Sequence, residues 1–451
     1  MPRRFGILLL LLTLPRGGLA LELPVVVESL PNGLRVLLHE DHSEPVISSY
    51  VFYRSGSRNE RRGQTGIAHL FEHMMFNGGK KFGPGKFDDL IEGNGGSTNG
   101  YTTRDYTAYL NNFPKEALPV VLDLESDRMA NLALTKRNLE QERGIVMEER
   151  RLRTDEQVSG VMNEALYLHA FVESPYRWGV IGFMADIRRI TLDEARAYFE
   201  TYYAPNNATF VLAGDLEPKT AMALVRRYFG AIRRRPSPPP VGASEPPQDG
   251  ERRVVVRKNA ELPAVLIGWH AARATDPDRA VLDVIEQLLA NGDSSRLHED
   301  LVRAHEVATV VEASNEWGID PDLFWIYAQA RPKKTAVDLE KRIAAVLERL
   351  AREPVPEAEL RTARNKLRAG LVRHLKTVSG RANQLGFFDT VLGDYRAMFG
   401  LEAAWEKVGA EDVKRVATAY LQPAKRTAVV LEPIPSGRPA KAEPPRPGGV
   451  S

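Results

Sequence analysis

Residues 65–79 read Thr-Gly-Ile-Ala-His-Leu-Phe-Glu-His-Met-Met-Phe-Asn-Gly-Gly, and this stretch is the most informative part of the chain. Thr65 is a typical helix N-cap and the two closing glycines are typical of a helix end, so we predict one helix of about four turns. His69 and His73 are four residues apart, which places both imidazoles on one face of that helix. Two imidazoles at this spacing can share a tetrahedral zinc ion.

Glu72 directly precedes His73, and its carboxylate can reach a water molecule at the metal without binding the metal itself. The pattern His-x-x-Glu-His is the inverted zinc motif of peptidases, in which Glu72 is the expected general base. The alternative interpretation is a pair of histidines on an amphipathic helix that binds no metal. With only 9 histidines in the chain, chance would place this motif in about one such chain in a hundred, and the zinc interpretation is favoured.

A catalytic zinc site needs a third protein ligand. The chain contains no cysteine, so that ligand has to be His, Asp or Glu. The predicted helical stretch 135–155 contains four candidates, which are Glu140, Glu142, Glu148 and Glu149. Glu142 and Glu149 are seven residues apart and share one helix face. Spacing alone leaves the choice open, since any one of these glutamates could instead lie on a solvated face.

The composition is that of a soluble globular protein, with 43% hydrophobic and 27% charged residues, and 451 residues suffice for two or three domains. The formal net charge of +2 produces no field that would attract nucleic acid, so we expect no nucleic-acid partner. The absence of cysteine excludes a disulfide framework and a lipid anchor on an N-terminal cysteine.

Residues 1–20 have the pattern of a signal peptide. A basic start at Arg3 and Arg4 precedes an apolar run at 5–14, and small residues before and at Ala20 suit signal peptidase. We expect cleavage after Ala20, a periplasmic or secreted mature protein and no stable membrane anchor after cleavage. The alternative is an uncleaved N-terminal anchor, although the apolar run is short for one.

Composition divides the remaining chain. Residues 232–252 are rich in proline and charge without an apolar period, which predicts a linker between domains at 21–231 and 253–433. The tail at 434–451 is rich in Pro, Gly and Lys and is predicted to be disordered.

The two predicted domains resemble each other. Each ends with a helix, a proline break and a buried strand, and the prolines Pro205 and Pro423 are 218 residues apart. Pro45 and Pro263, near the front of each domain, have the same separation of 218 residues. A constant offset at both ends predicts a duplicated α+β domain.

The duplicate lacks metal ligands. The same offset places Gln287 opposite His69 and Asn291 opposite His73, and the general-base position becomes Ala290. We therefore predict one zinc ion per chain.

The motif from His69 to His73, followed by Glu142-Arg143-Gly144-Ile145-Val146-Met147-Glu148-Glu149, resembles the pitrilysin/insulinase family of metallopeptidases. In particular it resembles the bacterial short-subunit branch related to the mitochondrial processing peptidase beta subunit. The resemblance implies that Glu149 is the third ligand and that Glu142 supports the site. It also implies two domains, each a mostly antiparallel sheet packed by helices, that form one half of a clam-like shell.

Another segment matching the family is a polar strand with glycines at 96–103. In the family this strand edges the active-site sheet and pairs with extended substrate, which implies that Asn99 and Gly100 bind substrate. Edge pairing uses main-chain hydrogen bonds and would accept many locally unfolded sequences. The alternative is a simple surface hairpin.

Active members of the family also use an arginine and a tyrosine seven residues apart, which reach the zinc from the opposite half of the shell. Arg303 fits the arginine position, whereas the tyrosine position is Val310, which has no hydroxyl to donate. We expect a heterodimer with a homologue that carries both residues, while a homodimer stays possible.

The expected function is hydrolysis of peptides or locally unfolded polypeptides by an exported zinc endopeptidase. Two alternatives remain: a non-catalytic structural subunit, and a periplasmic zinc-binding protein of the same fold. The presence of Glu72 favours the enzyme, because neither alternative needs a base beside the metal.

Overall fold

The computed structural model describes residues 23–242 and 244–434. The predicted signal peptide at 1–20 and the predicted tail beyond residue 434 lie outside the described residues, and both stay predictions. Within the described ranges, no helix combines the length and the apolar character that a membrane crossing requires.

The first sheet has six strands in the order β1-β2-β6-β3-β5-β4. Its strands are β1 (Val26–Ser29), β2 (Arg35–Glu40), β3 (Val46–Tyr53), β4 (Ser97–Thr102), β5 (Thr107–Pro114) and β6 (Ala208–Gly214). Only β2 and β6 pair in parallel, and the other neighbours are antiparallel. Strand β4 is an edge of this sheet.

The second sheet has five strands in the order β7-β11-β8-β10-β9. Its strands are β7 (Arg252–Asn259), β8 (Ala264–His270), β9 (Ala308–Asn315), β10 (Leu323–Ala330) and β11 (Arg426–Ile434). Here β7 and β11 form the parallel pair, in the same place as β2 and β6 of the first sheet.

Helices flank both sheets. In the first half of the chain they are α1 (Ile67–Met74), α2 (Lys86–Gly93), α3 (Leu118–Asn131), α4 (Lys136–Arg150), α5 (Val158–Ala170), α6 (Met184–Arg189), α7 (Leu192–Tyr202) and α8 (Pro218–Phe229). In the second half they are α9 (Asp278–Ala290), α10 (Ala336–Arg352), α11 (Glu357–His374), α12 (Val378–Val391), α13 (Leu401–Lys407) and α14 (Ala410–Tyr420).

The duplicated α+β architecture is confirmed. Without β1, the first sheet has the strand order of the second, and the first residues of β3 and β8, Val46 and Ala264, differ by the predicted 218 positions. The first residues of β6 and β11, Ala208 and Arg426, differ by 218 as well. The predicted fold class, two such domains that form half of a clam-like shell, is therefore correct.

Two helices cross between the halves of the chain. Helix α5 precedes the predicted linker, yet Leu166 packs in a core with Val429 of the second sheet. Helix α12 follows the linker, yet Leu385 packs with Phe52 and Val211 of the first sheet. Each sheet therefore buries one face under a helix from the other half, and the predicted domain boundaries do not separate the packing units.

A glycine at each of these two helix–sheet contacts permits the close approach of the helix to the sheet. A Cβ atom at Gly386 of α12 would lie 1.9 Å from the ring of Phe52, and one at Gly268 of β8 would lie 3.0 Å from Leu166. Apolar burial of this kind is worth about 25 cal/mol per Å². The exchange therefore holds the two domains together through buried surface as well as through the linker.

Candidate metal centre

The histidine-bearing helix is shorter than the predicted 65–79. Helix α1 spans Ile67–Met74 and continues as a single 3₁₀ turn, Met75–Asn77. Thr65 is not its N-cap, because the Thr65 hydroxyl accepts a hydrogen bond of 2.8 Å from the Phe183 amide and donates one of 2.8 Å to Asp186. The capping interpretation was wrong because the amide of Phe183, distant in sequence, occupies the acceptor oxygen that an N-cap offers to its own helix.

The start of α1 is set by Gly66 and capped by Glu60. Gly66 has a φ of +89°, and a Cβ atom there would lie 2.3 Å from the carbonyl oxygen of Ile181. The carboxylate of Glu60 accepts a hydrogen bond of 2.9 Å from the Ala68 amide, one of the N–H groups that a helix start leaves free. Because Glu60 is buried, its pKa is raised. These contacts fix where His69 and His73 point.

His69, His73 and Glu149 form a compact group of metal-ligand atoms. Their ligand atoms all lie within 4.8 Å of one another. Oε2 of Glu149 lies 3.7 Å from Nε2 of His69 and 3.3 Å from Nε2 of His73. Tetrahedral ligands about 2.0–2.2 Å from a zinc ion stand about 3.3–3.6 Å apart. Two imidazoles and one carboxylate in this arrangement fit zinc and leave a fourth position for water or substrate.

The fold distinguishes Glu149 from the other glutamates of α4. Glu148 turns outward and pairs with Arg151 at 2.5 Å, and Glu140 is exposed. Glu142 faces His73 from the side opposite Glu149, at Nδ1 instead of Nε2. Only Glu149 among these four is grouped with both histidines.

Glu142 supports the site through His73. Its Oε2 lies 3.5 Å from Nδ1 of His73, and its Oε1 accepts a hydrogen bond of 3.0 Å from Nδ2 of Asn77. A carboxylate on the second nitrogen of a ligating histidine orients the ring and increases its basicity. Sequence reasoning missed Asn77, which is the last residue of the 3₁₀ turn after α1; its spacing of four residues from His73 was the available signal.

A second contact that the sequence analysis missed involves Arg153. Its guanidinium lies 2.6 Å from Oε1 of Glu149, the carboxylate oxygen that faces away from the histidines. Arg153 belongs to a single π-helical turn, Arg151–Glu156, that continues α4. The spacing of four residues is the only sequence signal for this pair.

The charges of the two histidines differ strongly in the metal-free protein. Burial lowers the pKa of His69 to about 4, against the attraction of Glu149. Burial would also lower the pKa of His73, but hydrogen bonds to Glu142 and Glu149 raise it to about 9. The hydrogen bond with His73 lowers the pKa of Glu149. At neutral pH the site therefore holds one neutral and one protonated imidazole.

Glu72 lies beside the ligands. Its Oε2 is 4.0 Å from Nε2 of His69 and accepts a hydrogen bond of 2.6 Å from the Thr102 hydroxyl. Burial raises the pKa of Glu72, while the Thr102 hydrogen bond opposes the shift. A basic carboxylate next to the metal position is what a general base requires.

A cavity of about 380 Å³ opens beside the ligands. Its lining consists of Glu72, His73, Phe76, Asn77, Gly85, Asp88, Asn99 and Glu142. Asn99 therefore lies at the cavity, on the edge strand β4. Gly100 faces Glu72, because a Cβ atom at Gly100 would lie 3.3 Å from Cγ of Glu72. The strand predicted to bind substrate thus borders the site.

The structure does not bring Arg303 to this cavity, which is lined by residues between 72 and 142 only. Arg303 lies in a π-helical turn, His298–Ala304, and pairs with Glu299 at 2.5 Å. Val310 lies on the edge strand β9 of the second sheet and is partly exposed.

Two α+β domains with one His-His-Glu group in the described part of the chain and a glutamate before the second histidine define a zinc-dependent peptidase of the inverted-motif class. The family described as insulinase (peptidase family M16) matches residues 35–181, and the domain described as peptidase M16 inactive domain matches residues 189–367. The chain belongs to the insulinase family, peptidase family M16, and is a zinc protease.

The relatives agree with the predicted resemblance. Zinc protease PqqE of Helicobacter pylori is 32% identical over 410 residues, which cover 90% of this chain and 92% of that protein. The probable mitochondrial-processing peptidase subunit beta of Arabidopsis thaliana is 27% identical, over 88% of this chain and 76% of that protein. The crystal structure of a protease from Helicobacter pylori has a TM-score of 0.88 and 31% identity, and the match covers 91% of this chain and 100% of that one.

The ligand set predicts the zinc content of variants. The parent protein should carry one zinc ion per chain, and His73→Ala or Glu149→Gln should lose it, because two remaining ligands hold zinc poorly. Glu148→Gln is the matched control, since Glu148 pairs only with Arg151 at the surface, and it should keep its zinc. Elemental analysis after dialysis measures the content. Full zinc occupancy in Glu149→Gln would show that another glutamate is the third ligand, and Glu142 would be the first candidate.

Zinc binding should also release protons. His73, with a pKa of about 9, has to lose its extra proton to bind the metal, whereas His69, with a pKa of about 4, is already neutral at pH 7. Binding at pH 7 should therefore release about one proton per zinc, and the apparent Kd should rise roughly tenfold for each pH unit below 9. Calorimetric titrations of the metal-free protein in buffers of different ionisation enthalpy measure this release. A value near zero would contradict the charge state assigned to His73.

Proposed function

We propose that this zinc protease is an exported endopeptidase that hydrolyses peptides or locally unfolded polypeptides. In this proposal His69, His73 and Glu149 hold one zinc ion per chain, Glu72 is the general base and Glu142 supports His73. The observation that carries the proposal is the half-buried Glu72 carboxylate, which lies 4.0 Å from a ligand nitrogen and borders the cavity.

The metal and the side chains of the protein have different roles in the catalytic step. Zinc, when bound, supplies Lewis-acid chemistry that activates water and polarises the scissile carbonyl. Glu72 takes a proton from the attacking water and then delivers it to the leaving amine. Glu142 keeps the His73 ring oriented while Glu72 changes its protonation state.

Substrate is proposed to add to the edge of the first sheet. The main chain of β4 has β5 as a partner on one side only, so an extended peptide can pair with the other side. Asn99 lies at the cavity, and Gly100 leaves room beside Glu72. Because main-chain pairing reads no side chains, this mode suits unfolded segments of varied sequence.

The proposal of export rests on the sequence of residues 1–20 alone. A basic start, an apolar run and small residues ending at Ala20 are the features that support a periplasmic or secreted location.

Glu72→Gln should separate the base from the ligands. The carboxamide cannot accept a proton, so the variant should keep zinc and thermal stability but lose at least about 100-fold in kcat. Glu148→Gln, an exposed glutamate of α4, is the control and should match the parent. Hydrolysis of an unstructured fluorogenic peptide measures both. Activity of Glu72→Gln within roughly tenfold of the parent would remove Glu72 from the mechanism, whereas a parent protein without peptidase activity would favour the structural-subunit or zinc-binding alternatives.

We also propose that the opposite half of the catalytic shell comes from a second subunit. The cavity at the metal centre is lined by residues of one domain only, and Arg303 lies outside it. Val310 cannot supply the hydroxyl of the family's tyrosine. A homologue with both arginine and tyrosine would complete the site, and a homodimer would complete it with the arginine alone.

Activity should therefore depend on the partner. A missing oxyanion donor costs about 10²–10³ in rate, so the isolated chain should be slow and a 1:1 complex with an Arg/Tyr-bearing homologue should be much faster. Val310→Tyr should raise the activity of a homodimer, whereas Val337→Tyr, at an exposed valine of α10, should not. Peptidase assays and size-exclusion chromatography measure rate and stoichiometry. An isolated chain as fast as the mixture would contradict the partner proposal.

A further inference from the structure

The side chain of Thr102 joins the substrate edge of the first sheet to Glu72. Thr102 is the last residue of β4, and its Oγ1 donates a hydrogen bond of 2.6 Å to Oε2 of Glu72. Oε2 is also the carboxylate oxygen that lies 4.0 Å from Nε2 of His69. The oxygen that Thr102 holds is therefore the one that faces the metal position.

The direction of this hydrogen bond is fixed by the Glu72 carboxylate, which has no hydrogen to donate while it is ionised. Thr107 is the register partner of Thr102 on β5, and the two Oγ1 atoms are 3.3 Å apart. Thr107 donates its single hydrogen to the carbonyl oxygen of Ser55, at 2.8 Å. The Thr102 hydroxyl hydrogen is directed to the Glu72 carboxylate, because that contact of 2.6 Å is shorter than the 3.3 Å to Thr107 and involves an ionised acceptor.

Apart from a weaker hydrogen bond with the Thr102 main chain, few other contacts restrain the Glu72 carboxylate. A glutamate side chain has several rotatable bonds, and its aliphatic part packs against β4 next to Gly100. Among the described residues, Thr102 provides the one side-chain hydrogen bond to Glu72. Without it the carboxylate can rotate away from the reacting water, and small displacements of a catalytic group cost large factors in rate.

We propose that Thr102 is a positioning residue that aims the Glu72 carboxylate during peptide hydrolysis, an inference that rests on the proposed role of Glu72 as base. The same strand that pairs with the substrate main chain then also sets the position of the base. Strand β4 thereby positions both the scissile bond and the carboxylate that acts on the attacking water, although Glu72 itself belongs to α1. The effect lies in the catalytic step and not in substrate binding.

Steady-state kinetics of Thr102 variants test this role. Thr102→Val removes the hydroxyl at nearly constant volume, and kcat should fall about 10- to 100-fold with KM within about twofold of the parent. Thr102→Ser keeps the hydroxyl and should stay within about threefold of the parent kcat. Zinc content and thermal unfolding should match the parent in both variants. The control Thr201→Val removes an exposed hydroxyl that bonds only Ala197 of its own helix and should change neither constant.

The comparison remains decisive if valine disturbs the strand. Thr102→Ala is then compared with Thr102→Ser, and the proposal requires that serine recovers kcat relative to alanine. Unchanged kcat in both Thr102→Val and Thr102→Ala, a serine variant as slow as they are, or a loss confined to KM would overturn it. Glu72→Gln in the same assay distinguishes failure of the proposed base from failure of the positioning role. An active Glu72→Gln variant refutes Glu72 as the base. An inactive Glu72→Gln together with an active Thr102→Val refutes only the positioning role of Thr102.

Discussion

The approach of one carboxylate oxygen to two imidazoles is the constraint on which the rest of the site depends. Oε2 of Glu149 is 3.3 Å from His73 and 3.7 Å from His69, and the two histidines lie on a helix of only eight residues. So short a helix has little stability by itself, and its position has to come from tertiary contacts. Glu60 and Gly66 at its start supply them, and a metal ion shared with α4 would add its binding free energy to the folded state.

Around that contact the protein places one supporting group on each of three reactive side chains, His73, Glu149 and Glu72. Glu142 lies at the far nitrogen of His73, Arg153 at the outer oxygen of Glu149 and Thr102 on the Glu72 carboxylate. Each support comes from a different element, namely α4, the π-helical turn after it and β4. The site is thus determined by how α1, α4 and β4 pack on one another, more than by any one of them.

The second domain repeats the scaffold without the chemistry. At the positions that correspond to the histidines, the amide of Asn291 donates to Gln287 at 2.6 Å, so a neutral hydrogen bond replaces a metal. The domain still has a structural task, because α12 covers the first sheet and α5 covers the second. Loss of the ligands is therefore compatible with retention of the fold, and the exchange of helices explains why the halves stay together.

The sequence by itself determined the chemistry and the repeat. The spacing from His69 to His73 fixes two imidazoles on one helical face in any fold that keeps the helix, and the offset of 218 residues revealed a duplication that the two strand orders confirm. Periodicity limited the third ligand to a few glutamates, and only the family resemblance favoured Glu149. Tertiary structure decided the rest. It determined which face of α4 contacts α1 and that Thr65 bonds Asp186 instead of capping α1. It also determined that α5 packs on the second sheet and α12 on the first. These outcomes depend on contacts between residues far apart in the chain. Packing sets the geometry of such contacts, and a local sequence pattern does not contain that information.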